Sequence, residues 1–493
     1  MNRTTLSLIA GATALTAVTG FAALITPDQA TTDDPARTAA HLPVERTSLL
    51  CPSPSTSDLA ETTYTSFTPV TKGAESKGTA ELQPARTDSD TDAESDTRKK
   101  PQKPALEPGE PGKQSSADVS GGEAPALIGT AEGRFAPGWT VQQTTEVTAG
   151  TGRGLQGVTC TAPDTEFWFP GTSTSSDRTD YVHLTNPDDS AAVVDIELYG
   201  KDGALKSTVA EGITVPAHSS EPVLLSTLTE EQQTNVTVHV VVRSGRVGAA
   251  VQALDDKLGG DWLAASTDPA GSLIIPGIPK DATAVRLVAF APGDTDADLK
   301  VRLASPTGSI TPAGHETLHV KGGMTAAVDL GDITRGEPGS LVLTPTDRSV
   351  PVVAAVRVLR GKGDTQESSF IAAARPVGTR ATAVGNTAKT TTLSLTAPDG
   401  TAKVKVTASP ENGSPTSKTY TIKSGTTQTI TPPTPADTKG TYALTIEPQT
   451  GTPVYATRTL TAEDSAFTTQ TLPDDRGMVA VPEAQQDLSI LQR

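Results

Sequence analysis

The chain repeats itself. Phe169-Pro170-Gly171 returns as Ile275-Pro276-Gly277, Asn186-Pro187-Asp188 as Ala291-Pro292-Gly293, Gly203 as Gly308, and Gly245–Val251 as Val350–Val356. The offset is about 105 residues throughout, and self-similarity at a fixed period restricts the architecture more than any short motif does. A weaker third copy follows, in which Val406–Ser414 echoes Val301–Ser309 and Thr452–Ala456 echoes Val350–Ala354. Cys51 and Cys160 share a C-x-x-P context at a similar spacing, the mark of a degenerate, interrupted first copy.

Inside a copy the apolar period is two. Val194, Ile196 and Leu198 alternate with Asp195 and Glu197; Val236, Val238 and Val240 alternate with Thr237 and His239; Leu444 and Ile446 behave likewise. Strands buried on one face produce this pattern. Asn-Pro-Asp-Asp, Lys-Asp-Gly and Pro-Asp-Gly supply turns between them. About seven short strands per hundred residues reads as an all-β fold of tandem immunoglobulin-like β-sandwich repeats. The alternative, a β-propeller, repeats at about 40–50 residues per blade. Composition agrees with many short strands: of 493 residues only 3% are aromatic and 35% hydrophobic.

The expected organisation is a signal or anchor helix over 1–27, then a degenerate first β domain over 43–163. Sandwich repeats follow over 164–260, 270–362 and 368–465, with a C-terminal tail over 466–493. Residues 75–123 are low in large apolar side chains, so they are expected as a disordered insertion, unable to bury enough surface to offset ordering entropy.

The N-terminus predicts an extracytoplasmic location. Met1-Asn2-Arg3 is a basic start, residues 4–26 carry no charge, and Pro27-Asp28 ends the run. This is a secretory signal or a signal anchor, and cleavage after Gly20-Phe21-Ala22 and retention both stay open here. Arg3 before the run and Asp28, Asp33 and Asp34 after it fit an N-in, C-out orientation. If uncleaved, the segment is the route to the membrane. Cys51 and Cys160 then predict one disulfide, the default in an oxidising compartment. A net charge of −17 with no basic stripe speaks against a nucleic-acid partner.

Several motifs imitate active sites. His315-Glu316-Thr317-Leu318-His319 is a literal zinc-protease signature. Pro312, Gly314 and Gly322-Gly323 leave no room for a helix, and the repeat lays Leu318 over Ile213 and Val320 over Val215. On a strand, residues four apart stand ~13 Å apart, too far to share one zinc at ~2 Å. Asp88-x-Asp90-x-Asp92 and Asp294-x-Asp296-x-Asp298 open like calcium loops but lack the later glycine and glutamate. Gly152-x-Gly154-x-x-Gly157 precedes Val158-Thr159-Cys160, a strand rather than the helix that a dinucleotide site needs. His183 and His239 read as ordinary strand residues. Phe167-Trp168-Phe169 reads as core or interdomain packing, with a sugar-stacking platform on Trp168 as the alternative. No catalytic, cofactor-binding or metal-binding residue is therefore expected.

Arg153-Gly154-Leu155, Cys160-x-x-Pro163, Trp168-Phe169, Leu184-Thr185-Asn186-Pro187 and Glu197-Leu198-Tyr199-Gly200-x-x-Gly203 together resemble the actinobacterial domain-of-unknown-function family numbered 5719. The resemblance implies a membrane-anchored or secreted envelope protein with no assigned activity and no catalytic residue to carry over. The functional expectation is an exported, non-enzymatic scaffold or interaction module of the cell envelope without a cofactor. Its partner would be an envelope protein, or a cell-wall glycan if the chain is a polysaccharide binder. An envelope hydrolase is the remaining alternative.

Overall fold

A computed structural model describes residues 40–86, 103–207, 209–435, 440–462 and 466–481. Segment 1–27 and the aspartates 88, 90 and 92 lie outside the described residues. The large compact unit is Pro43–Met478. The described residues of the other unit, 40–42 and 479–481, lie in a two-stranded ribbon formed by Ala40–Pro43 and Met478–Val481.

Every sheet in the large unit is antiparallel, and the sheets come in four pairs. In module 2, Glu166–Thr172, Val236–Ser244 and Ala192–Gly200 form one sheet, with Gly203–Ala204 and Ile213–Val215 on its outer edge. Ser220–Leu224, Arg178–Thr185, Gly248–Asp255 and Gly259–Leu263 form the other. Numbered along the module, with the two outer-edge pieces together as strand 4, the strands run 4-3-6-1 in the first sheet and 5-2-7-8 in the second. Module 3, from Leu273–Ile278 to Glu367–Ala372, has the same order. So does module 4, from Ala381–Asn386 to Phe467–Thr471; module 1, from Arg46–Cys51 to Gly154–Thr159, has it without strand 4 among the described residues, so that Ser115–Ser120 is its strand 5. Each pair encloses one core: Val194, Ile196, Val238 and Val240 meet Val182, Leu184 and Val251 in module 2. Alternation along each strand is what lines up these side chains on the inner face.

Four expectations are corrected. Residues 75–123 are not wholly a disordered insertion, because Ala80–Pro84 and Ser115–Ser120 are strands of module 1 and Leu82 is 0% exposed in its core. The apolar content there is low because strand Ser115–Ser120 lies at a sheet edge, with only Ala117 and Val119 packing inward. Residues 466–493 are not simply a tail: Phe467–Thr471 is the last strand of module 4. Likewise Glu367–Ala372 completes module 3 rather than opening the next domain, and Gly259–Leu263 runs past the boundary expected at 260. All three strands were hard to place for one reason. They are rich in Gly, Ser, Thr and Gln yet buried on both faces, so the alternation that marks a half-exposed strand is missing.

These last strands, here the closing strands, organise the unit. The closing strand of module 1 touches those of modules 2 and 4, and that of module 3 also touches both. The first strand of each module packs on the seventh strand of the next, and module 4 packs on module 1 in the same way. Four copies of one heterologous contact thus close into a ring. Modules 1–2, 2–3 and 3–4 are joined by short stretches of chain. The seam between modules 4 and 1 is held without a covalent link. There Phe67 packs on Val384 and Ala443, the Val384 N–H donates to Gln142 Oε1 at 2.8 Å, and the Gly385 N–H donates to Gln114 Oε1 at 2.9 Å.

Cys51, at the end of the first strand of module 1, is bonded to Cys160, just beyond its closing strand, with Cα atoms 4.4 Å apart. The bridge clamps a loop spanning 109 residues. A cross-link over such a loop stabilises by about 4–5 kcal/mol in the chain-entropy model. The double variant Cys51→Ser/Cys160→Ser should lose stability of that order in urea unfolding, and reducing agent should mimic it in the parent protein only.

Candidate functional site

The polar groups of the large unit converge where the closing strands meet. Asp261, in Gly259–Leu263 of module 2, is 0% exposed. Its Oδ1 accepts the Gly157 N–H of module 1 at 3.0 Å and the Thr468 hydroxyl of module 4 at 3.0 Å. Its Oδ2 accepts the Ser369 hydroxyl of module 3 at 2.5 Å, and Ser369 Oγ in turn accepts the Thr469 N–H at 3.1 Å. One carboxylate therefore holds a group from each of the other three modules. Burial pushes its pKa up to about 7 from the ordinary 3.8, while the Ser369, Gly157, Trp262 and Thr468 donors pull the other way.

The close approach depends on glycine. A Cβ at Gly157 would stand 2.7 Å from Thr468 Cγ2, and one at Gly260 would stand 2.8 Å from Gly152 Cα. This accounts for the Gly152-x-Gly154-x-x-Gly157 run, which begins in a left-handed turn at Gly152 (φ 75°) and enters the closing strand. Beside the axis, Arg153 Nη2 donates to the carbonyls of Lys257, Asp364 and Gln366 at 3.1, 2.9 and 3.2 Å, which ties modules 1, 2 and 3. Arg153 Nη1 lies 3.5 Å from Glu367 Oε1. Burial pushes Glu367 up to about 7, with Arg153 opposing. Near the seam, Arg458 is 0% exposed; it donates to the Val384 carbonyl and to Gln470 Oε1. No carboxylate among the described residues forms a salt bridge with it, and desolvation pulls its pKa down to about 9.

A second constellation lies on module 2 where it faces module 3. His239 Nδ1 sits 2.8 Å from Glu197 Oε2, and its Nε2 sits 3.0 Å from Glu166 Oε1. Tyr199 OH donates to Glu197 at 2.8 Å and Trp168 Nε1 to Glu166 at 3.0 Å. The Trp168 ring stacks on His239 at 3.6 Å and on Phe290 of module 3 at 5.5 Å. Trp168 is 6% exposed, and Phe167 and Phe169 point into the core of module 2. The sugar platform considered for Trp168 is thereby corrected: the ring's faces are occupied by protein. Every donor in the group has a partner within module 2, and the group meets module 3 through the apolar contact of Trp168 and Tyr199 with Phe290 and Val353.

The remaining motifs are dispersed. The His315 N–H bonds the Pro312 carbonyl, and the Glu316 carboxylate accepts the Gly314 N–H at 3.0 Å. His319 lies in strand Thr317–Val320, with Nδ1 2.8 Å from Asp298 and Nε2 3.6 Å from Asp296. That strand pairs with Ala297–Ser305 as Ile213–Val215 pairs with Ala192–Gly200. Asp296 also accepts the Gly322 N–H. Among the described residues no three His, Cys, Asp or Glu side chains are arranged to hold a metal ion. His183 is buried against Trp262 at 5.1 Å with neither ring nitrogen in good hydrogen-bond geometry, and burial lowers it to about 4.

Sequence reasoning missed Asp261, Ser369, Thr468, Arg153, Glu367 and Arg458. One signal was available: Asp261 interrupts Gly-Gly-x-Trp-Leu, where a charge inside a strand needs donors.

The fold and the axis define a class, a multi-sandwich all-β protein with a buried polar centre shared by its modules. The model of a family of unknown function (DUF5719) matches residues 115–433, from the fifth strand of module 1 into module 4. The chain belongs to that family. No curated protein matches. A solved structure, the BSP domain of a biofilm associated protein, aligns over 91% of this chain and 96% of that one at 11% identity. Its TM-score of 0.14 is too low for an argument about either fold or function.

Gly157→Ala should force Thr468 away from the axis and cost about 1–3 kcal/mol, the usual penalty of overpacking. Gly451→Ala, where a Cβ meets nothing within 4 Å, is the control and should be near neutral in the same denaturant titration.

Proposed function

We propose that this is an exported, non-enzymatic cell-envelope protein acting as a rigid scaffold for protein interaction, held outside the membrane by segment 1–27 or released after its cleavage. The observation that carries the reading is the closed axis. Four modules are pinned through one buried carboxylate and its donors, and this restrains the hinge motions that loosely linked modules would have. The modules themselves read as immunoglobulin-like, with two antiparallel sheets in about a hundred residues each. The buried Cys51–Cys160 bridge supports an oxidising compartment. A net charge of −17 supports solubility and opposes adhesion to anionic lipid, which leaves segment 1–27 as the membrane contact. A cell-wall glycan as ligand would need an aromatic platform other than Trp168.

A phosphatase reporter that folds only outside the cytoplasm, fused after Arg493, should be active in cells and lose activity when residues 2–27 are deleted. An inactive full-length fusion would exclude export. The purified protein should not be retained on wall glycans; retention would replace the scaffold by a polysaccharide binder.

A further inference from the structure

At three junctions the chain passes from one module to the next by the same route. After each closing strand it first bonds the first strand of its own module. The Thr161 N–H donates to the Leu50 carbonyl at 3.0 Å, Ser266 to Trp168 at 2.8 Å, and Ala374 to Ile274 at 3.0 Å. The chain then crosses over and bonds the residue just before the seventh strand of the next module. The Asp164 N–H donates to the Val247 carbonyl at 2.9 Å, Ala270 to Val352 at 3.0 Å, and Val377 to Val454 at 2.7 Å. The first strand of that next module begins two to four residues further on.

The chain leaves module 4 on the same route. The Asp475 N–H donates to the carbonyl of Arg380, just before the first strand of that module, at 2.8 Å. Arg380 Nε donates to the Asp475 carboxylate, as does the Gly477 N–H at 3.1 Å. Gly477 then reaches module 1. A Cβ on it would stand 3.5 Å from the nitrogen of Gly138, two residues before the seventh strand Thr140–Val147. The Gly477 carbonyl accepts the Val44 N–H at 3.2 Å. Val44 stands two residues before the first strand of module 1, the place that Asp164 holds in module 2.

We propose that Pro473–Met478 and Pro43–Glu45 together are the fourth inter-module linker in split form, a releasable latch that holds the seam between modules 4 and 1 closed. At the other junctions the two halves are one continuous chain and cannot part. Here the Val44–Gly477 hydrogen bond joins them. Beyond it Ala40–Pro43 and Met478–Val481 pair as a two-stranded sheet, an arrangement that is marginal in water on its own. Arg476, inside the latch, has a left-handed backbone (φ 53°), which favours glycine and which release relieves. The latch is therefore drawn from the low-stability end of the structure, where local opening occurs without global unfolding. Its release lets the seam part and uncovers Phe67, Val384 and Ala443.

Amide-resolved hydrogen exchange reads the seam directly, because the Val384 and Gly385 N–H groups donate across it to Gln142 and Gln114. Omitting residues 477–493, or residues 1–44, should speed exchange of both amides by about tenfold, the upper worth of one backbone hydrogen bond. Omitting both should do no more than either alone, because each removes one half of the same contact. Amides of strand Ala192–Gly200 in module 2 should exchange as in the full chain. Unchanged exchange at Val384 and Gly385 overturns the proposal. So do effects of the two omissions that multiply when combined, or an equal acceleration in Ala192–Gly200. If the shortened chains do not fold, Arg476→Gly in the full chain decides the matter. It should slow exchange of the same two amides several-fold, and exchange that is unchanged or faster overturns the latch.

Discussion

Four strands from four modules come together on one aspartate, and the ring depends on that contact. Removing a carboxylate from water costs several kcal/mol even after relaxation. Asp261 offsets this with donors drawn from each of the other modules rather than with a counter-ion. Each donor is in place only if its own module stands in the correct position. A hydrophobic axis would bury comparable area but would tolerate sliding, whereas hydrogen bonds at about 3 Å do not. The polar centre is thus best understood as a register device, the role for which buried polar groups are best attested.

The same logic explains why the closing strands have unusual composition. Two backbones approach so closely that Gly157 and Gly260 leave no room for a Cβ. Small hydroxyl residues fill what space remains: Ser369 and Thr468 donate to Asp261, and the Thr469 N–H donates to Ser369 Oγ. Away from the axis the contacts become aromatic, as where Trp168 and Tyr199 of module 2 cover Phe290 of module 3. At the seam they become polar again, through Gln114 and Gln142. The module 2–3 junction thus adds an aromatic contact to its polar bonds, and the seam between modules 4 and 1 combines Phe67 with buried glutamines but lacks a covalent tether.

Much of the fold was legible. Val236-Thr237-Val238-His239-Val240 states a half-buried strand without help from any partner, because its alternation matches the pleat. The repeat also carried the correct register to His319, placing it in a strand equivalent to Ile213–Val215. The closing strands Glu367–Ala372 and Phe467–Thr471 escaped because burial on both faces erases alternation, and Ala80–Pro84 because a short strand needs only Ala80 and Leu82 to reach the core. Of the polar centre almost nothing was visible. Asp261, Ser369 and Thr468 are each ordinary residues that gain their role only by meeting across the axis.

The sequence by itself determined the all-β class, the repeat and the strand faces, since these rest on local periodicity and on turn residues acting within a few positions. It also argued against a helix over His315–His319, and the structure places His319 in strand Thr317–Val320 and His315 in the turn before it. Only the tertiary structure decided that the copies close into a ring and that Trp168 is covered by Phe290. It also decided that one carboxylate serves four modules. These outcomes depend on contacts between residues one to three hundred positions apart, and desolvation and hydrogen-bond geometry at such contacts leave no periodic trace along the chain.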